Sequence, residues 1–429
     1  MVGLIMLIVM LAFLAGGIPI VFAIGLASLT GMLVVGAGAP LIMIPNSMFN
    51  GMDSFPLMAV PFFVLAGEIM NRGGITVRLV RFANALVGRF TGGLAHANIV
   101  ASMLFAGITG SALADTAAIG STMIPAMRKA GYDADYSAAV TASSSLIGPI
   151  IPPSITMVIF GVTASVSIGG LFLSGIVPGV LIGLGLMVMA SIIAKRRGYQ
   201  MAGEAISPRK FVALTGNALL ALMMPVIILG GIFGGIMTPT EAAAVAVAYS
   251  LLVGMLVFRE LHLKDLPILF LRAGRVTAMI MIIVGVARIF ADVLSSEQVP
   301  QQLSAAIMSL TDNKWLILLL MNLFLLLVGC VMDTTAAIII LTPVLLPVAT
   351  SIGLDPLTFG IIMCINLIIG LATPPLGICL FVAADIANIS FEKLVMAIWP
   401  FLLVEVAVLL LITYVPEVAM IVPRYFGYL

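Results

Sequence analysis

The chain has 429 residues, 62% hydrophobic and only 9% charged, with a formal net charge of +1 and a mean hydropathy of +1.28. That leaves too little polar surface for a soluble globular protein of this size, so the fold class is an all-α polytopic membrane protein. The near-neutral charge argues against a nucleic-acid partner, and the three cysteines, Cys330, Cys364 and Cys379, lie in apolar stretches with no disulfide or metal spacing.

In chain order, Met1 to Gly16 is apolar with no basic flank and no small-residue cleavage site. It reads as a retained span rather than a signal peptide. Spans are expected at 2–16, 19–37 and 54–71, followed by an amphipathic basic segment from Val77 to Phe90 carrying Arg78, Arg81 and Arg89. Two short apolar stretches, 96–109 and 115–127, come next, interrupted by Gly107 and Gly110-Ser111. Each is short for the ~30 Å of a hydrocarbon core, which predicts a re-entrant hairpin that enters and leaves on one side. A span at 135–165 is broken by Gly148-Pro149 and Pro152-Pro153, and a last one covers 171–194. The longest polar stretch, Lys195 to Lys210, is a loop.

The same pattern then returns. Gly17, Gly67 and Asp115 are matched 218 positions later by Gly235, Gly285 and Asp333. The offset becomes 222 at Pro125/Pro347 and holds through Gly148/Gly370, Pro152-Pro153/Pro374-Pro375 and Pro178/Pro400. Two halves follow. The first, 1–208, comprises scaffold spans 1–95, hairpin 96–128, broken helix 135–165 and span 171–194. The second, 209–429, comprises scaffold spans 211–294, hairpin 315–349, broken helix 356–387 and span 391–415. A hairpin adds no crossing, so each half holds five spans plus one re-entrant hairpin, and the odd number makes the repeat inverted. On this topology all of the nineteen basic residues except Lys314, Arg424 and the in-span Arg288 fall on one side. That side is the cytoplasm, and both termini are periplasmic.

Broken helices within a bilayer expose amides and carbonyls that only protein or a water-filled cavity can satisfy. Half-helix N-termini then favour an anion, and unwound carbonyls favour a cation. The first break carries Ser143, Ser144, Ser145, Gly148 and Ser154, and the second carries Asn366, Gly370 and Thr373. The hairpin tips add Thr109, Ser111, Asp115 and Thr116 on one side, and Asp333, Thr334 and Thr335 on the other. Hydroxyls, carbonyls and carboxylates are hard oxygen ligands suited to Na⁺; the alternative is that the hydroxyls only cap half-helices. Asp115 and Asp333 are functional candidates because an unpaired carboxylate at membrane depth is costly. Each could bind Na⁺, take a proton or cap the second hairpin helix.

Other acids have plainer readings. Thr238-Pro239-Thr240-Glu241 is a capping box, and Glu68 is expected to pair with Arg72 at i, i+4. Asp385 and Glu405 lie in late spans, with scaffold, gating and subunit-contact roles all open. The isolated His96 and His262, and the lack of a zinc-protease, serine-hydrolase or P-loop motif, argue against an enzyme.

At these motifs the sequence resembles the large membrane subunit of tripartite ATP-independent periplasmic (TRAP) transporters, the DctM/SiaM type. The matching stretches are Pro61 to Met70, Gly110-Ser111-Ala-Leu-Ala-Asp115-Thr116, Ile151-Pro152-Pro153-Ser154, Thr238 to Ala242, Met332-Asp333 and Thr373-Pro374-Pro375-Leu-Gly377. The resemblance implies an elevator-type ion-transporter-like fold in the bacterial inner membrane, importing a carboxylated organic acid (a C4-dicarboxylate, sialic acid or a related acid) with Na⁺. It implies a four-helix small membrane subunit of the DctQ/SiaQ type, as a separate chain, and a soluble periplasmic binding protein. One Na⁺ site would use Ser111, Asp115, Ser144, Ser145 and Gly148, and the other Asp333, Thr334, Gly370 and Thr373. Substrate would lie near Ser111, Ser154, Asp333, Thr335 and Asn366, with Pro152, Pro153, Pro374 and Pro375 holding the breaks. The amphipathic segments would brace scaffold against transport domain, or face phospholipid. A stand-alone divalent-anion/Na⁺ symporter of the same fold, and a non-transporting scaffold or channel, are the competing readings.

Overall fold

The computed structural model describes residues 2–35, 43–199, 208–311 and 313–428. The end of the predicted second span (36–37) and the centre of the Lys195–Lys210 loop lie outside the described residues. Among the described residues the fold is entirely helical. The first half holds α1 (Val2–Ala15), α2 (Ile20–Val35), α3 (Met43–Met52), α4 (Ala59–Arg72), α5 (Ile75–Val87), α6 (Gly93–Thr109), α7 (Ala112–Lys129), α8 (Ala134–Ser145), α9 (Ile155–Ala164) and α10 (Ile168–Arg196). The second holds α11 (Pro208–Phe233), α12 (Pro239–Leu252), α13 (Leu266–Ser296), α14 (Val299–Leu310), α15 (Lys314–Val331), α16 (Thr334–Ser351), α17 (Pro356–Gly370), α18 (Ile378–Ala387), α19 (Phe391–Tyr414) and α20 (Glu417–Tyr425).

Seven helices among the described residues are long and apolar enough to cross a membrane, or eight if the bent pair α3–α4 is one span. That pair turns through 64° at Asp53–Ser54, where the sequence pattern alone gave a single span over 54–71. Its counterpart α13 is one continuous helix of 31 residues. Both arms of the second hairpin, α15 and α16, are 18 residues long and pass the length test, so their length does not by itself mark them as re-entrant.

The packing falls into two sets. Helices α1, α2, α3, α4, α11, α12 and α13 contact one another and form the outer frame. In the other set α7 packs on α8 and α18, while α16 packs on α17 and α9. Each hairpin's second arm thus touches the broken helix of both halves. The amphipathic α5 lies against α6 and α11, and α14 lies against α13 and α16, each between frame and hairpin.

Lipid supplies no hydrophobic drive for such contacts, so close backbone approach and buried polar pairs must do it. The sequence of α8 shows how: Tyr136 to Ser145 are all buried, and nine of these ten are Ala, Ser, Thr or Val. Small side chains let α7, α18 and α19 reach it together.

Two local expectations are corrected. Gly107 does not interrupt the first hairpin arm; α6 runs through it, and its missing side chain makes room for Pro225, whose Cγ would lie 2.6 Å from a Cβ there. Glu68 does not pair with Arg72. Arg72 bonds Asp265 at 2.9 Å, and Glu68 faces Arg272 at 3.8 Å, because the frame brings α4 against the start of α13. The capping box at Thr238 is present as expected, with Glu241 accepting from the Thr238 amide at 2.8 Å.

Candidate ion and anion site at the hairpin tips

In the first half, α6 ends at Gly110, whose φ of +60° favours glycine. A side chain there would also meet the Pro153 carbonyl at 2.8 Å, so the hairpin tip rests directly on the helix break. Ser111 caps α7, its oxygen accepting the Ala114 amide at 3.5 Å. Asp115, one turn on, is fully buried and does not serve as the cap. Its Oδ1 accepts the Thr109 hydroxyl, and its Oδ2 has no partner. That free oxygen faces Gly148, where a Cβ would lie 2.3 Å away.

The break forms because Pro149, Pro152 and Pro153 carry no amide proton to continue α8. The last turn tightens instead: Leu146, Ile147 and Gly148 each donate to the carbonyl three residues back, all at 3.1 Å. Ser154 restarts the chain as α9, accepting the Met157 amide at 3.2 Å and donating to the Pro149 carbonyl at 2.5 Å. Ser144 accepts from Ser102 of α6 at 2.9 Å, and Ser145 donates to the Thr141 carbonyl at 2.7 Å. Ser143, by contrast, is buried with a hydroxyl that has no partner.

The second half is built alike but is not identical. Asp333 is exposed and caps α16, its Oδ1 accepting the Thr335 and Ala336 amides at 2.9 and 3.4 Å. Thr334 is buried and its hydroxyl is unpartnered. Tip and break meet at glycines: a Cβ on Gly370 would lie 2.2 Å from the Gly329 carbonyl carbon. Leu371, Ala372 and Thr373 repeat the tightened turn, and the Thr373 hydroxyl donates to the Ile369 carbonyl at 2.8 Å. Pro374-Pro375, like Pro152-Pro153, is joined by a cis peptide bond. Helix α18 then starts at Gly377 without a side-chain cap, whereas α9 has Ser154.

Of the residues expected at the first site, the structure brings Asp115 to Gly148, with Ser111 at the adjoining tip. Ser144 and Ser145 lie on the same break with their hydroxyls engaged within the protein. At the second, Gly370 meets the hairpin at Gly329, four residues before Asp333, and Thr373 lies three residues on with its hydroxyl engaged on the Ile369 carbonyl. Among the substrate candidates, Ser154 and Asn366 are fully buried, while Ser111, Asp333 and Thr335 are partly or fully accessible. Asn366 donates to Asn322 of α15, which also bonds Thr413 of α19 at 3.2 Å. Ser144 and Asn366 are repeat counterparts, and each bonds the first arm of its own hairpin.

Sequence reasoning passed over Ser102, Asn322 and Thr413, which read as single polar residues in apolar helices. It also left open Glu405, which is fully buried with neither carboxyl oxygen partnered. The halves interlock through Cys379 of α18, beside Thr116 of α7, and through Arg128, which donates to the Ala387 carbonyl at 3.0 Å.

Chemically, a fully buried carboxylate oxygen without a donor demands a cation or a proton, since an unpaired charge there costs several kcal/mol. Around it are hydroxyls and break carbonyls. Among the described residues no group of three His, Cys, Asp or Glu could hold a metal ion. The oxygen set suits a hard monovalent cation rather than a transition metal.

Residues 7–418 match the family model described as the tripartite ATP-independent periplasmic transporter, DctM component. The isethionate TRAP transporter permease protein DctMQ of Oleidesulfovibrio alaskensis is 44% identical over 95% of this chain, which spans 64% of that relative's length. The sialic acid TRAP transporter large permease protein SiaM of Vibrio cholerae is 41% identical, covering 97% of this chain and 98% of the relative. The solved YdaH transporter of Alcanivorax borkumensis has a similar fold, with a TM-score of 0.63 at 14% identity over 90% of this chain and 89% of that one. The chain belongs to the DctM family of TRAP transporter large permeases, and is a multi-span membrane transporter component rather than an enzyme.

Proposed function

We propose that the chain is the transport subunit of a TRAP system in the bacterial inner membrane, moving an organic anion inward together with Na⁺. The observation that carries this reading is the hairpin tip resting on the helix break with the Asp115 Oδ2 buried, unpartnered and aimed at Gly148. Na⁺ there neutralises a charge that the protein leaves uncompensated. The Ser145 carbonyl lies beside the same point at Gly148 and would join Ser111 of the tip as a further oxygen, with the Ser144 and Ser145 hydroxyls available once their internal bonds rearrange. Asp333, Thr334, Gly370 and Thr373 form the second Na⁺ site by the same logic. Substrate takes the space between the tips, where Ser111, Asp333 and Thr335 are accessible and Ser154 and Asn366 back the wall.

The anion is a carboxylated organic acid such as a C4-dicarboxylate or sialic acid. The relative named for isethionate widens the class to sulfonates. A small four-helix subunit and a periplasmic binding protein complete the system, with phospholipid around the frame.

We further propose an inverted repeat of five spans plus a hairpin per half, divided near 208/209, with both termini periplasmic. The swapped contacts, α7 with α18 and α16 with α9, support this symmetry. The hairpins and broken helices would move as one body against the frame, in an elevator cycle. The placement of α5 and α14 between frame and hairpins supports their role as braces.

The test is uptake of a panel of labelled organic acids into proteoliposomes containing the chain, its small subunit and its binding protein. Accumulation driven by an inward Na⁺ gradient, and absent with K⁺, is expected. Accumulation by the chain alone would favour the stand-alone symporter. Equal flux with either cation would favour a channel.

A further inference from the structure

We propose that Glu405 is a proton-carrying site, separate from the cation sites at the hairpin tips. Glu405 lies in the middle of α19, is fully buried, and has neither Oε1 nor Oε2 hydrogen-bonded. Phe401, one turn earlier on the same face, packs its ring 6.2 Å from that of Tyr136, which turns this face of α19 toward α8. The repeat register that pairs Pro178 with Pro400 pairs Glu405 with Gly183. The first half thus fills the equivalent place with no side chain at all, so the packing of the repeat does not require a carboxyl group there.

The helices packed against α19 are α8, α10, α17, α18 and α20. From α8 the titratable groups are Tyr136 and Asp135, the latter held by Arg197 at 3.0 Å. From α10 there are none between Ile168 and Ala194, only the terminal Lys195 and Arg196. From α17 there is Cys364; from α18, Cys379 and Asp385; from α20, Glu417, Arg424 and Tyr425. Among the described residues no basic side chain pairs with Glu405.

These surroundings choose between the two ways of neutralising a buried carboxylate. A bound cation needs several oxygen ligands arranged about it, yet from Pro400 to Ile412 α19 carries no oxygen-bearing side chain besides Glu405, unlike the hydroxyls and break carbonyls near Asp115. A proton needs none, leaving only one unsatisfied O–H, a smaller cost than an unpaired charge. The step is a simple protonation: the carboxylate takes a proton from hydronium at one face of the membrane and returns it to water at the other. The coupling role rests on the transport reading above. The protonation itself does not, so the two fail separately.

The experiment is infrared spectroscopy of the full-length chain in lipid nanodiscs, as wild type and Glu405→Gln, across pH and on exchange into D₂O. A carbonyl-stretch band of a protonated carboxylic acid is expected in wild type, moving in D₂O, fading as pH rises, and absent in the variant. Coincident spectra of the two proteins overturn the proposal. So does a Glu405 band that persists unchanged at every pH the fold survives. Should Glu405→Gln fail to fold, Glu405→Leu, suited to an apolar helix, serves the same comparison. In the reconstituted complex, wild-type uptake is expected to vary with pH by up to about tenfold per unit, as one titrating proton allows. Glu405→Gln flattens that profile while keeping Na⁺ dependence; an unchanged profile in the variant refutes coupling through Glu405.

Discussion

Gly148→Ala is a one-methyl perturbation aimed at the proposed first Na⁺ site. The added Cβ would lie 2.3 Å from Asp115 Oδ2 and 3.0 Å from its Cγ, with the Ser145 carbonyl also at 3.0 Å. Something must move, and the carboxylate is the closest group. It is also held by a single hydrogen bond, from Thr109, while the break backbone is pinned by a run of tightened turns. Overpacking of this kind costs about 1–3 kcal/mol. If that cost falls on placing Asp115 against the ion, Na⁺ affinity weakens by roughly 5- to 150-fold. The assay is the Na⁺ dependence of thermal stability of the purified chain, which reports binding to the folded state directly, followed by the Na⁺ dependence of uptake. Gly183→Ala is the control. The three atoms nearest its Cβ would all belong to the flexible Met103 side chain, Sδ at 2.4 Å, so wild-type Na⁺ affinity is expected. A Gly148→Ala protein that is folded and binds Na⁺ as wild type does would refute the reasoning.

Three further outcomes are expected. Asp333→Asn keeps a capping side chain for α16 and removes the charge, whereas Asp333→Ala loses both and about 0.5–2 kcal/mol of cap; both lose Na⁺-coupled uptake while still assembling, and wild-type Na⁺ dependence in Asp333→Asn would reduce Asp333 to a cap. Asn366→Ala breaks the buried contact with Asn322 and destabilises the chain by about 1–3 kcal/mol, read as a lowered melting temperature; Asn322→Leu added to Asn366→Leu recovers part of the loss, and simple additivity would contradict the pairing. Glu241→Ala opens the capping box at the start of α12 and lowers the melting temperature slightly without changing Na⁺ affinity; an altered affinity would place Glu241 in the transport path.

Much of the site was legible because its parts are interruptions in an apolar background. Gly110-Ser111, Gly148-Pro149 and the two Pro-Pro pairs each mark a place where a helix stops, and the structure puts a helix end or break at each. Their recurrence at fixed offsets paired the two halves before any contact was known. Less legible was what each hydroxyl does, because a serine on a helix can turn to a carbonyl of its own turn or to a neighbour. Ser145 does the first alone, while Ser144 does both, donating to the Thr141 carbonyl and accepting from Ser102, which spacing cannot distinguish. The unlike settings of Asp115 and Asp333 were also hidden: the same residue at the same register is sealed in one half and exposed in the other. The bend between α3 and α4 escaped notice because Ser54-Phe55-Pro56 open the apolar run read as the span 54–71, which leaves α3 wholly before it. Glu405 was visible as an acid in a span, but that no partner reaches it depends on packing from five helices.

The central claim is that cations bound at the hairpin tips are carried with the anion. Its most direct test is the reversal potential of substrate-coupled current in proteoliposomes holding the complete system, which gives the number of Na⁺ moved per anion. Two or more are expected for wild type, and fewer for Asp115→Asn. A reversal potential that ignores the Na⁺ gradient in wild type, or an Asp115→Asn protein with the wild-type ratio, would contradict the account.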